Sequence, residues 1–190
     1  MKTTLMAMLI TATLLASASS SFAELASFLQ TSNNEEQLAK DTNPNVVTMK
    51  TDAGGGLTQK NGVVTVRADG AYFLMAAAQV GCGCGYGTTP NLGHRQGGQA
   101  AAQVGGQVAG SVRLWIRVNG KDVANTNTEQ MIPDASFTSV LVSQGVLLLS
   151  NGDTIEVVYS GSAPGFGLIV EKPEGEPMVP SIIFSIFKVN

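Results

Sequence analysis

Three side chains in this sequence have the chemistry of a soft-metal or redox site: Cys82, Cys84 and His94, which are both cysteines and the single histidine of the chain. Zinc sites usually separate paired cysteines by two to four residues, whereas only Gly83 separates these two. The alternatives are a disulfide between near neighbours in an oxidising compartment and pairing between subunits. Because three soft ligands do not complete a tetrahedral site, we expect a local disulfide and no metal or other cofactor.

Catalytic patterns are missing from the sequence. A nucleophilic triad needs a firmly held imidazole, and His94 lies in a glycine-rich stretch. One histidine also cannot supply the ligand cluster of a jelly-roll metalloenzyme. Gly54-Gly55-Gly56 lacks the Gly-Lys-Ser/Thr ending of a phosphate loop, and Asp153 follows Asn-Gly as a turn residue does. The sequence therefore predicts a protein that is not an enzyme.

The cysteines and the histidine lie in a Gly-rich insertion at residues 81–110. The letters AAAQVG occur twice, at Ala76–Gly81 and at Ala100–Gly105, and the two copies flank the cysteines and the histidine. A local duplication and chance in a segment of biased composition both explain this repeat. Long loops at one end of a β-sandwich carry variable binding surface, so we expect the insertion to contact a partner.

A second candidate surface surrounds the only tryptophan, Trp115, which stands between Arg113 and Arg117. An aromatic ring flanked by arginines suits a carbohydrate or protein ligand. The same trio also fits a cross-strand packing face, which is the more common arrangement. Both interpretations remain open at the level of sequence.

The N-terminus predicts export. Lys2 precedes an apolar stretch from Leu5 to Leu15, and Ser21-Phe22-Ala23 has the small-x-small pattern of a signal-peptidase site, so residues 1–23 are read as a cleaved signal peptide. Cleavage removes one basic residue and no acidic one, which leaves 10 basic and 14 acidic side chains. That balance disfavours nucleic acid as a partner, and no later apolar run is long enough for a membrane span. We expect a protein that is secreted, on the cell surface or periplasmic.

The mature chain divides into a lead and one domain. In residues 24–44, Leu25, Phe28 and Leu29 have helical spacing, which predicts a short helix or a flexible lead. Residues 45–190 alternate short apolar runs with Asn, Asp and Gly turn signals, the pattern of an all-β sandwich. Nine segments have strand length and composition: Val46–Met49, Val63–Arg67, Ala71–Val80, Val112–Val118, Phe137–Val142, Val146–Leu149, Ile155–Tyr159, Gly167–Val170 and Ser181–Val189.

Two of these strands are apolar on both faces. The last one alternates Ile182, Phe184 and Ile186 with Ile183, Phe187 and Val189. The strand at Ala71–Val80 behaves alike, with Phe73 and Met75 opposite Tyr72 and Leu74. Only one face can enter a subunit's own core, and charged residues make up only 13% of the chain, so another subunit is expected to cover the second face. Our candidates for that interface are Phe73, Met75, Ile182, Phe184 and Ile186, although the pattern itself leaves open which face points outward.

The ordered motifs from Asn45 to Val189 resemble a known family. They are Gly70-x-Tyr72-Phe73, the "LWIRVNG" strand and turn, Leu147-x-Leu149-x-x-Gly152-Asp153-x-Ile155-x-Val157, and the terminal "SIIFSIF". Together they are similar to the globular head domain of complement component one, q subcomponent, in the tumour-necrosis-factor-like superfamily. The resemblance implies a jelly roll of about ten antiparallel strands that forms a homotrimer, with the first and last strands in the sheet that faces the threefold axis. No Gly-X-Y stalk precedes Asn45, so a complement role does not transfer.

The combined expectation is a secreted, non-enzymatic, trimeric binding or structural module for surface adhesion or extracellular assembly, with a protein or carbohydrate as its ligand. The alternative is a cysteine-dependent metal-binding or redox protein that uses Cys82, Cys84 and His94.

Overall fold

The computed structural model describes residues 27–84 and 109–189, and every regular element in those ranges is a β-strand. The strands, numbered in chain order, form two antiparallel sheets of seven strands each. Sheet I contains β1 (Phe28–Asn33), β2 (Gln37–Leu38), β4 (Thr51–Gly55), β7 (Gly70–Cys82), β11 (Thr138–Leu149), β13 (Phe166–Leu168) and β14 (Ile182–Lys188). Sheet II contains β3 (Asn45–Val46), β5 (Thr58–Lys60), β6 (Val63–Thr65), β8 (Gly110–Val118), β9 (Lys121–Asp122), β10 (Thr128–Ile132) and β12 (Thr154–Gly161). The predicted all-β jelly-roll sandwich is confirmed.

The prediction of a short helix or flexible lead in residues 24–44 is wrong for its described part. Phe28–Asn33 is strand β1, which pairs with β14 on one side and with β4 on the other. Its side chains alternate as a strand requires, with Leu29 and Thr31 buried and Phe28 and Gln30 exposed. The helical spacing is overridden because the edge of β14 offers a ladder of hydrogen bonds that a short isolated helix cannot match.

Strand β11 joins two segments that the sequence predicted as separate strands. The pairing with β7 is continuous from Thr138 opposite Gly81 to Leu149 opposite Gly70. Gly145 was the predicted break, yet it pairs with Leu74 inside this ladder. A glycine only weakens a strand, and eleven flanking residues of uninterrupted pairing hold it in the sheet.

The Asn-Gly turn signals are borne out by the backbone. Asn61 and Gly62 have φ values of 52° and 85°, and Asn119 and Gly120 have values of 50° and 73°. Two successive residues with positive φ match the right-handed twist of the flanking strands, and Asn and Gly tolerate that conformation best. The loops at both positions are therefore tight hairpins that fix the register of β5 with β6 and of β8 with β9.

The core lies between the inner faces of the two sheets. Leu74, Ile182 and Phe184 contribute from sheet I, and Leu114 and Ile155 contribute from sheet II. All five side chains are almost completely buried. Full burial of a side chain of this size is worth about 1.5–3 kcal/mol, so this core supplies the main stabilisation of the sandwich.

The first and last strands begin and end at one end of the sandwich, and β7 ends and β8 begins at the other. Phe28 at the start of β1 pairs with Phe187 near the end of β14. Strand β7 runs the other way from β14 and ends at Cys82, and β8 begins at Gly110. We call the first end, with Phe28 and Phe187, the terminal end, and the second, with Cys82 and Gly110, the insertion end.

Candidate interaction surface

The outer face of sheet I carries six of the ten large apolar side chains that are exposed among the described residues. It runs across the adjacent strands β11, β7, β14 and β1. On β11 the side chain of Leu148 is 87% exposed, and on β14 that of Phe187 is 44% exposed. The other large apolar side chains exposed on these strands are Val140, Val142, Val146 and Phe28. Strand alternation produces this surface, because each of these residues lies next to one that is buried or partly buried.

Register arranges this face in three rows that cross the strands at right angles. The aromatic row consists of Val146, Phe73, Phe187 and Phe28, and Leu148 pairs with Ala71 one step closer to the terminal end. The polar row comes next and consists of Gln144, Met75, Ser185 and Gln30. The upper apolar row consists of Val142, Ala77, Ile183 and Ser32. In the aromatic row the rings of Phe73 and Phe187 lie 5.2 Å apart between centroids, in a tilted contact.

The structure changes which residues of β14 can form an interface. Phe73 and Met75 lie half-buried on the outer face, as the candidate list required. Ile182, Phe184 and Ile186 do not, because they are 0%, 1% and 1% exposed in the core of the same chain. The alternate set of the same strand, with Ile183 and Phe187, points outward in their place.

Trp115 belongs to a packing face, the more common of the two arrangements that the sequence left open, and not to an exposed aromatic platform. Trp115 is only 6% exposed, and its indole N–H donates to the Oδ1 of Asp122 at 2.8 Å. The Arg117 guanidinium donates to the same oxygen at 2.8 Å. Arg113 remains exposed and pairs with Glu129 at 3.2 Å. These bonds hold the ring against the sheet, which leaves no aromatic surface for a ligand.

Asp122 was not singled out by sequence reasoning, although it organises this cluster. The indole donor of Trp115 and then the Arg117 guanidinium hold the pKa of its carboxyl below the ordinary value. It lies on β9 directly opposite Arg117, across the hairpin that Asn119 and Gly120 form. The sequence signal that points to this pairing is a carboxylate two residues after an Asn-Gly turn that ends a strand.

Cys82 and Cys84 are bonded to each other in the structure. Cys82 closes β7 and is 2% exposed in the core, and the Sγ of Cys84 lies beside Gly165. His94 lies outside the described residues, as does the second AAAQVG copy. Within residues 27–84 and 109–189 there is no group of three His, Cys, Asp or Glu side chains arranged to hold a metal ion.

Asp153 has the turn role that the sequence predicted. Its Oδ2 accepts the backbone N–H of Ser150 at 2.8 Å, and its Oδ1 accepts the side-chain amide of Asn119 at 2.8 Å. The Ser150 backbone donor and then the Asn119 amide lower the pKa of this carboxyl. A carboxylate held in its charged form by turn donors is stabilising structure and is poorly suited to act as a general base.

Known proteins resemble this chain in structure, and none was found that matches it in sequence. No family model and no curated protein match the sequence. The chain is similar to murine APRIL at pH 5.0, with a TM-score of 0.50 and 13% identity over 85% of this chain and 98% of that one. For murine APRIL at pH 8.5 the TM-score is 0.47 and the identity 15%, over 85% of this chain and 98% of that one. For the globular domain of zebrafish complement 1qA protein the TM-score is 0.45 and the identity 15%, over 86% of this chain and 98% of that one. The chain has an all-β jelly-roll fold, which it shares with the first of these structures, murine APRIL at pH 5.0.

The described residues contain no helix with the length and apolar character needed to cross a membrane.

Proposed function

We propose that this protein is a secreted, non-enzymatic homotrimer that serves as a binding or structural module, in surface adhesion or extracellular assembly. The observation that carries the proposal is the apolar outer face of sheet I. It presents Leu148, Val146 and Phe187 to solvent in the isolated chain. Contiguous apolar surface of this kind is characteristic of protein association sites.

Association removes the energetic penalty of this face. Covering one Leu, Val or Phe side chain is worth about 1.5–3 kcal/mol when burial is complete, and partial exposure reduces that value in proportion. Leu148 and Val146, at 87% and 64% exposure, have the most to gain. A symmetric oligomer multiplies this gain by its number of interfaces, which offsets the loss of translational and rotational freedom.

The number of subunits comes from the family resemblance. It implies a homotrimer whose first and last strands share the sheet that faces the threefold axis. Strands β1 and β14 are paired along their whole length in sheet I, which supports that arrangement. The same sheet carries the apolar face, so the sequence resemblance and the exposed surface point to one side of the molecule.

A ligand site at the insertion end fits this assembly. The chain leaves β7 after Cys82 and returns to β8 at Gly110, at the end far from Phe28 and Phe187. In a trimer whose axis runs along the strands, the three copies of this end would lie together. We propose a protein or carbohydrate as the ligand, with the segment 81–110 as the contact region.

The cysteine-dependent alternative has less support. A disulfide between Cys82 and Cys84 leaves neither sulfur as a thiolate, which is the form that ligates metal. Metal analysis together with a free-thiol assay on the purified protein separates the two functions. Less than 0.1 metal ion and fewer than 0.1 free thiol per chain would favour the binding module, whereas stoichiometric metal would favour the alternative.

Replacing apolar side chains of the outer face by charged ones tests the association. The double variant Val146→Lys/Leu148→Lys should remain folded by far-UV circular dichroism, because both side chains point into solvent, and should run as a monomer. Met131→Lys is the matched control, since Met131 is 62% exposed on β10 of sheet II. An unchanged oligomer in the double variant would contradict an interface on sheet I.

A further inference from the structure

The polar row is an unusual feature of an apolar face. Gln144 and Gln30 flank Met75 and Ser185 at one height, with the aromatic row on one side and the upper apolar row on the other. Both glutamine side chains are exposed, and among the described residues neither has a hydrogen-bond partner of its own. If a second subunit covers this face, these amides must find partners there, because a polar group that is buried without a hydrogen bond destabilises the complex.

Rotational symmetry supplies such partners from an identical chain. A rotation about an axis parallel to the strands leaves the height of every residue along that axis unchanged. Copies related in this way bring aromatic row to aromatic row and polar row to polar row. A twofold axis perpendicular to the strands would exchange the aromatic row with the upper apolar row. Sliding one copy by two residues, about 7 Å, would bury the amides against phenyl rings.

The chemistry of the row suits contact with itself. A primary amide carries two donors and an acceptor with two lone pairs, and a hydroxyl both donates and accepts. Gln30, Gln144 and Ser185 can therefore each bond to the same residue types on a neighbouring copy. A single polar position in an apolar interface is known to fix register and oligomer state at some cost in stability.

We infer that the polar row formed by Gln30, Gln144 and Ser185 sets the register of the homo-oligomer through hydrogen bonds between subunits, with the symmetry axis along the strands. The inference rests on the proposed association through sheet I. The partner is a second copy of this chain. An identical row at the same height along the axis offers donors and acceptors to the amides, whereas an unrelated apolar surface does not. The row selects against slipped pairings, which the apolar rows alone would tolerate.

Disulfide cross-linking between subunits tests the matched height. The matched variant is Gln30→Cys/Gln144→Cys, and the offset variant is Gln30→Cys/Val140→Cys, in which the second cysteine lies four residues along β11, about 13 Å away. Three strand spacings, about 14 Å, separate β1 from β11 within one chain, which excludes a bond inside the subunit. The matched variant should form covalent oligomers at least tenfold faster than the offset one under mild oxidation.

Light scattering on the parent protein separates the possible failures. If the parent is an oligomer but the two variants cross-link at similar rates, or neither does, the register inference is overturned and the association through sheet I stands. A monomeric parent would overturn both.

A second pair of variants tests the role of the amides. Gln30→Leu/Gln144→Leu should still fold and associate, but should spread into several oligomeric species by native mass spectrometry, whereas the parent gives one. Asn127→Leu adds an exposed apolar side chain outside sheet I and is the control. A single species of parental mass in the double variant would overturn the inference.

Discussion

The environment of Trp115 shows how one buried side chain depends on a surface carboxylate. The indole of Trp115 and the guanidinium of Arg117 both donate to Asp122 Oδ1, each at 2.8 Å. The negative charge strengthens both bonds, and for that reason the pKa of Asp122 is lowered. The ring is thereby fixed across the hairpin that joins β8 and β9.

The pKa direction predicts how this cluster depends on pH. A carboxyl with a depressed folded-state pKa adds stability above its unfolded value of 3.8, and this is lost as the pH falls from there through the folded value. We expect Asp122→Asn to unfold at a lower urea concentration than the parent at pH 7, and the difference to shrink below pH 3.8. Urea midpoints at pH 7 and pH 3 measure this. A difference that is equal at both values would contradict the charge-assisted bonds.

The two cysteines should differ in their contribution to stability. A bridge over one residue restricts the unfolded chain little, so Cys84→Ser should change the free energy of unfolding by no more than about 1 kcal/mol. Cys82 is buried in the core at the end of β7, and Cys82→Ser would place a hydroxyl there, at an additional cost of about 1–3 kcal/mol. Denaturant titration of the two variants gives both values, and equal losses would argue against a core position for Cys82.

At the scale of elements, β14 contributes one set of side chains to the core and the alternate set to the outer face of sheet I. Phe184 is 1% exposed inside the core, and Phe187, three residues on, lies on the outer face. A charge at the first position is buried without a partner, whereas a charge at the second stays in solvent in the isolated chain. The same strand thus carries both the folding determinant and the association determinant.

We expect two different outcomes from one substitution type. Phe184→Asp should unfold the chain or destabilise it by more than about 4 kcal/mol. Phe187→Asp should leave the strand content unchanged and dissociate the oligomer. Circular dichroism and light scattering distinguish the two, and a folded, oligomeric Phe187→Asp protein would contradict the position of the interface.

Sequence patterns predict the strands well where alternation is strong. Strand β8 has core side chains at Val112, Leu114 and Ile116, as its pattern predicted, because charged residues mark the other face. In β14 both faces are apolar, so the pattern shows that one face needs cover and cannot show which one. Pairing with β7 and β1 decides that, and pairing is long-range information. For the same reason the prediction of a helix at Phe28 was wrong, because this segment becomes a strand through its pairing with β14.

Sites formed by neighbouring residues can be predicted from sequence, whereas sites formed by distant strands cannot. Residue types are enough to predict the Asn-Gly turns and the role of Asp153, since both depend on neighbouring residues. The burial of Trp115 depends on its hydrogen bond to Asp122. The alternation of side chains along a strand does not reveal that bond. The rows on sheet I follow from the register of four strands that are far apart in sequence. Register is set by the assembled core and therefore had to come from the structure.

At the scale of the whole molecule, the N-terminal sequence predicts where the exported protein begins. Ser21 and Ala23 satisfy the small-residue rule, so we expect the exported protein to begin at Glu24, four residues before β1. N-terminal sequencing of protein from the extracellular or periplasmic fraction checks this. Recovery of an intact Met1 from that fraction would contradict a cleaved signal peptide.

We propose that identical chains cover the apolar outer face of sheet I around a threefold axis. Multi-angle light scattering of the mature chain, Glu24–Asn190, at micromolar concentration tests it most directly, because the measured mass does not depend on molecular shape. We predict a single species with three times the mass of the chain. A well-behaved monomer, with Leu148 and Phe187 left in solvent, would contradict the claim.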